Sequence, residues 1–133
     1  MNKVFYWSPF ISKVATVKSV LNSAEAINKS FKKNSFKAYI IDAVHEWKDF
    51  EGEIEKKKIE LIYLNKNSIF NLYKKEGFIR SRLTYLYIIF KSFFPLIKIL
   101  QEKKPNYFVI HLITSLPLFL FIFKNFESKL ILR

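Results

Sequence analysis

The 133-residue chain has no cysteine, only two glycines and only two histidines, and each scarcity removes a class of chemistry. Without cysteine there are no disulfides, no thiolate metal sites and no cysteine nucleophile. Two histidines are too few for a histidine-built zinc site, so neither a metal nor a cofactor is expected. Gly52 and Gly77 stand alone, which excludes glycine-rich phosphate loops of the G-x-G-x-x-G or G-x-x-x-x-G-K-[ST] type. Any phosphate contact has to be built from other groups. Met1 to Trp7 lacks the basic segment, apolar core and cleavage site of a secretory signal, so the chain is expected to begin directly in structure. The sequence has no internal repeat and no low-complexity linker.

What is present favours folding. Half of the residues are hydrophobic and 18% are aromatic, which excludes disorder by low hydrophobicity. The length is that of one domain with a proper core. Lys and Arg number 23 against 11 Asp and Glu, a net charge of +12. That excess favours a polyanionic neighbour: nucleic acid, anionic lipid or a phosphorylated ligand.

Residues Val4 to Trp7 are β-branched or aromatic and precede a turn-prone Ser8-Pro9, the pattern of a buried strand ending at a loop. From residue 13 the period changes. Val14, Val17, Leu21, Ala24, Ile27 and Phe31 recur at steps of three and four, predicting an amphipathic helix over roughly 13 to 32 with Ser12 as its N-cap. The runs FKAYIIDAV (36 to 44) and IELIYL (59 to 64) read as second and third strands, separated by a charged, mixed segment. Residues 78 to 103 carry a long helical pattern with Ile79, Leu83, Leu86, Ile89 or Phe90, Phe93, Leu96 or Ile97 and Leu100 on one side, bent at Pro95 and stopped by Pro105. YFVIHL (107 to 112) reads as a fourth strand, TSLPLFLFIFKNF as a helix capped by Thr114 or Ser115, and SKLILR as a fifth strand. Strands that are apolar throughout and alternate with helices indicate an α/β fold, a Rossmann-like parallel sheet with helices on both faces. A buried strand at Leu130 to Leu132 calls for a further covering helix, so residues 1 to 133 are expected to be an incomplete domain.

In open α/β sheets ligands bind beyond the carboxyl ends of the strands, where the first strand-to-helix loop exposes backbone N–H groups and a helix dipole. Residues 8 to 16 occupy that place. Lys13 and Lys18 add charge, and Ser8, Ser12 and Thr16 add hydroxyls suited to an anionic or hydroxyl-rich ligand. The same spacing fits a plain turn at Ser8-Pro9 with Ser12 as a cap. Asp42, His45 and Glu46 cluster after the second strand but lack a third ligand spacing for a metal or an acid-base site. The EIEKKKIE run is a solvated face with offsetting charges.

The segments VFYWSPFISKVATVKSVLNSA, KPNYFVIHLITSLPLFLF and SKLILR together resemble the amino-terminal half of family-4 (group 1) glycosyltransferases of bacterial surface-polysaccharide synthesis. The resemblance implies a GT-B arrangement of two Rossmann-like domains. In it this chain would be the acceptor-side domain, and a nucleotide-sugar-binding domain would lie beyond Arg133. It implies a transferase moving a sugar from a nucleotide-sugar donor to a hydroxyl acceptor, lipid-linked or saccharide, with the isolated chain inactive alone. Ser8, Pro9, Phe10, Ser12, Lys13 and Thr16 match the acceptor-side loop. His111 matches a cleft-facing position, with Thr114 and Ser115 beside it. An imidazole there would hydrogen-bond a sugar hydroxyl or else serve as a satisfied core group.

Two rivals follow from composition. Tyr107 to Phe123 is uncharged and could pair with Leu83 to Leu100 as a hydrophobic hairpin in a small basic membrane-associated protein, although Lys91, Lys98, His111 and Pro117 oppose burial in lipid. A softer form holds the domain on an anionic membrane surface through lysines and arginines between residues 74 and 104, giving a cytoplasmic protein at the inner face of the membrane. Nucleic-acid binding is not expected, because the lysines are scattered and no recognition motif is present.

Overall fold

The computed structural model describes residues 1–11, 15–30, 35–65, 77–111 and 126–133. Strand β1 (Asn2–Trp7) is followed by helix α1 (Ala15–Ser30), strand β2 (Phe36–Asp42), a 3₁₀ turn (Lys48–Phe50), helix α2 (Glu51–Lys56) and strand β3 (Glu60–Tyr63). Helix α3 (Phe78–Lys103) and strands β4 (Tyr107–Ile110) and β5 (Lys129–Leu132) complete the order. All four strand pairings are parallel, in the order β3-β2-β1-β4-β5. The register is set by pairs such as Val4 with Ala38 and Tyr107, so β1 lies at the centre with both neighbours in step.

The side on which each helix lies follows from the handedness of parallel crossovers, which is right-handed almost without exception. Going from β1 to β2 to β3 the chain moves one way across the sheet, and from β3 to β4 it moves back. Crossovers in opposite directions put their helices on opposite faces. Alternation along β1 shows the result: Val4 and Tyr6 pack with Val17, Val20, Leu21 and Ala24 of α1 and Ile54 of α2, while Phe5 and Trp7 pack with Ile88, Ile89, Leu96 and Leu100 of α3. Buried on both faces, the central strands are apolar over residues 4–7 of β1 and throughout β4, as the sequence indicates. The fold is a parallel α/β sheet of the Rossmann-like kind.

Polar ties lock the layers. Asn28 of α1 donates from Nδ2 to the Lys58 carbonyl (2.9 Å) and accepts the Ala38 N–H at Oδ1 (2.9 Å), joining helix, strand and the turn after α2. Glu25 of α1 pairs with Lys29 and with Lys57, and these hydrogen bonds hold its carboxyl below the usual range. Helix α3 starts at Gly77, whose φ of 97° suits glycine, and ends at Lys104, left-handed at φ 43°, whose N–H donates to the Leu100 carbonyl (3.0 Å). Pro105 follows, and Pro95 sits inside the helix without interrupting it.

Three expectations change. Only the second half of the expected face of α3 turns inward: Ile89, Leu96 and Leu100 are buried, as the spacing suggested, while Ile79, Leu83, Leu86 and Phe90 point to solvent and Thr84, Ile88 and Ser92 are buried in addition. The charged segment after β2 holds the 3₁₀ turn and α2, of which only Ile54 is buried. The uncharged run from Tyr107 begins as strand β4 between β1 and β5, so it is not one membrane-crossing helix. The expected helix over 114 to 126 falls mainly outside the described residues, as do Ser12, Lys13, Thr114 and Ser115.

Candidate functional site at the carboxyl edge of the sheet

The strand order reverses direction between β1 and β4, and the loops leaving these two strands flank that switch point. The β1 loop is drawn tightly inward. Ser8, Pro9 and Ile11 are buried, and the Phe10 ring lies in the core, edge-on to Trp47 (centroids 5.0 Å apart, 87° between planes). From α3 the Tyr85 hydroxyl donates to the Pro9 carbonyl at 3.0 Å, fixing the loop from the far side of the sheet. Burial, then the charge of Glu46, raises the Tyr85 phenol above its ordinary value, so it remains a donor. Thr16 is half-buried in the first turn of α1. Of the residues expected to contact an acceptor, Ser8, Pro9, Phe10 and Thr16 are described, and of these the Phe10 side chain serves packing.

His111 follows β4 directly, and its N–H donates to the Trp7 carbonyl (3.3 Å), which ties the two loops of the switch point together. Its ring is half-buried, and Nε2 is shielded from water with no hydrogen-bond partner among the described residues. Burial, followed by the positive charge of Arg133, lowers its pKa. Arg133 lies in the adjacent position after β5, its N–H donating to the Ile110 carbonyl (2.9 Å). A neutral imidazole with a free ring nitrogen can exchange a hydrogen bond with a hydroxyl but cannot attract an anion by charge.

Beyond β2 the backbone turns back on itself. Asp42 Oδ1 accepts the His45 N–H at 2.6 Å and holds His45 at a φ of 68°. The His45 ring stacks on Tyr63 (centroids 5.1 Å, 24°), and its Nε2–H donates to the Asn65 carbonyl (2.9 Å). Glu46 is fully buried and accepts the Ala43 N–H (3.1 Å) and the Val44 N–H (2.8 Å). Burial first, then the charge of Asp42 and a hydrogen bond to it, push the Glu46 carboxyl well above its ordinary value. The second oxygen of Asp42 receives no donor elsewhere among the described residues, so a proton carried by Glu46 is its natural partner. The trio seen in the sequence is thus a carboxyl pair beside a stacked imidazole. Among the described residues no three His, Cys, Asp or Glu side chains converge as metal ligands.

Two site residues escape sequence reasoning. Tyr85 sits within an apolar helix, and only its hydroxyl at an inward position hints at a buried hydrogen bond. Arg133 gives no pattern at all, since its place depends on the parallel pairing of β4 with β5. Two cavities are formed among the described residues, the second of them reaching Arg133. One of about 560 Å³ is at the amino edge of the sheet beside Asn2, Pro105 and Asn106, and one of about 450 Å³ is an apolar groove beside α1 over β4 and β5, lined by Val4, Tyr6, Ile27, Val109 and Ile131. No protein-family model and no curated protein matches the chain, and what the site does is therefore argued from its geometry and from the sequence resemblance.

Proposed function

We propose that this chain is the acceptor-side domain of a glycosyltransferase of the GT-B kind. It would hold a hydroxyl-bearing saccharide or lipid-linked acceptor at the switch point between β1 and β4. The nucleotide-sugar would be held by a second domain. The observation that carries the reading is His111: a neutral, half-buried imidazole with an unpartnered Nε2, fastened to the end of β1 where open α/β sheets receive ligands. Neutral donors and acceptors suit sugar hydroxyls, whose hydrogen bonds to a fixed imidazole form without the desolvation of a charge. The fixed loop Ser8 to Ile11 and Thr16 form the other wall. The sequence resemblance supports the same assignment.

The test is acceptor binding followed by imidazole NMR. Saccharides and short polyprenyl-linked sugars titrated into the protein should shift the His111 ring resonances, and His111→Phe should weaken binding about tenfold, the equivalent of one net hydrogen bond. If no saccharide, free or lipid-linked, perturbs His111 while the protein is folded, the proposal fails.

A further inference from the structure

Helix α3 is apolar on two sides. Ile79, Leu83, Leu86, Phe90 and Phe94 recur at steps of three and four and are 71, 59, 47, 68 and 76% exposed. At about 100° and about 1.5 Å per residue they occupy an arc of roughly 80° and a stripe roughly 22 Å long. The opposite arc is already used, with Ile88, Ile89, Leu96 and Leu100 in the core. A helix on the surface of a soluble domain needs one apolar face, and a second one this continuous marks an interaction surface.

Charge identifies the occupant. Arg80, Lys91 and Lys98 run along one border of the stripe and Arg82 along the other, and α3 as a whole carries five basic residues (Arg80, Arg82, Lys91, Lys98, Lys103) against a single acidic one, Glu102. The Lys91 Nζ lies 5.9 Å from the centre of the Tyr87 ring, a cation–π contact that sets a positive charge beside the apolar stripe. We propose that α3 lies in the plane of an anionic phospholipid bilayer, the stripe among the acyl chains and the basic borders on the headgroup phosphates. By length and composition the helix is long and apolar enough to cross a membrane. It lies flat instead, because crossing would strip its inner face from Phe5, Trp7 and Phe108. A second copy of the chain is a poor occupant, since two helices of the same positive sign would face each other across the contact. This inference does not rest on the sugar-transfer reading, and either can fail alone.

The experiment is flotation of the purified chain with vesicles of phosphatidylcholine with or without about 30% phosphatidylglycerol. The protein should float with the anionic vesicles, and raising salt from about 0.05 M to about 0.5 M should weaken this binding without abolishing it. Leu83→Asp with Phe90→Asp should lower the partition coefficient at least about 50-fold, and Arg80→Gln with Lys91→Gln and Lys98→Gln on the order of 100-fold. Because an aspartate variant can lose binding by misfolding, Phe90→Trp provides a second reading: its emission should be quenched by lipids brominated in the acyl chain. Absence of quenching on bound vesicles, equal binding to neutral and anionic vesicles, or a vesicle-free dimer that shields Trp at position 90 would each overturn the proposal.

Discussion

Replacing Glu46 by glutamine isolates a fully buried carboxyl whose protonation the fold prefers. In the native state this carboxyl binds its proton more tightly than in the unfolded chain, where its reference value is 4.5. Raised folded-state affinity for a proton means that the associated stability is fully present below pH 4.5 and is lost as pH rises toward the folded-state pKa. In that window wild-type stability falls by up to about 1.4 kcal/mol per pH unit through this group. His111 acts in the opposite sense: its pKa is lowered from 6.5, so its contribution is present above that value and lost as pH falls. Glu46→Gln leaves the His111 contribution in place, so the difference between variant and wild type removes it. The amide can donate to Asp42 and keep one oxygen acceptor, but it leaves one of the Ala43 and Val44 N–H groups without a partner, which costs about 1–2 kcal/mol. Urea denaturation at a series of pH values should therefore show Glu46→Gln less stable than wild type at pH 4.5 and the gap closing, then reversing, on the way to neutrality. A stability difference that stays constant with pH, or widens as pH rises, would refute the assignment of a protonated Glu46.

Three other outcomes follow from named contacts. Asn28→Ala removes a donor and an acceptor at once and strands the Ala38 N–H, so urea denaturation should show a loss of about 2–3 kcal/mol, and a loss under about 0.5 would show that the tie between α1 and β2 is not formed in solution. Trp47→Ala empties a site packed by Phe10 and Phe50 and should lose about 3–5 kcal/mol in the same assay. At Gly77 a Cβ would meet nothing within 4 Å, so Gly77→Ala tests backbone conformation alone; calorimetry should give a loss of about 1–3 kcal/mol, and a neutral result would contradict the positive φ.

The strands were legible because each carries a short apolar run, longest in the central strands where both faces are buried, and the runs at 36, 59, 107 and 128 all contain observed strands. The ends of α3 were legible too, through the helical pattern over 78 to 103 and the stop at Pro105. Its orientation was legible only from Ile89 onward. A helix with two apolar stripes satisfies the periodicity either way, and the choice is made by bulk: the sheet already presents Phe5, Trp7 and Phe108 on that side, leaving room for Thr84, Ser92 and isoleucines but not for Phe90 and Phe94. Helix α2 escaped notice because one buried residue, Ile54, leaves no period to detect. At the site, the sequence marked the β1 loop, His111 and the Asp42, His45, Glu46 group, and Ser8, His111 and Glu46 do gather at the carboxyl edge. It could not show that Phe10 turns into the core or that Glu46 is sealed from water, since both depend on Trp47 and on the closure of the turn after β2.

The central place of β1 also governs how the chain can acquire its shape. On one side β1 meets a strand that follows after one helix, and on the other it meets β4, where Lys3 and Asn106 bond to each other across a separation of 103 residues. Such remote pairing closes slowly, because a long loop must be ordered before any contact rewards it. During synthesis the first three strands and α1 can therefore assemble while α3 is still emerging, with Phe5 and Trp7 bare on one face. The arrival of α3 and β4 is the step that covers them, which makes the interval before that step the time when this chain is most prone to aggregate.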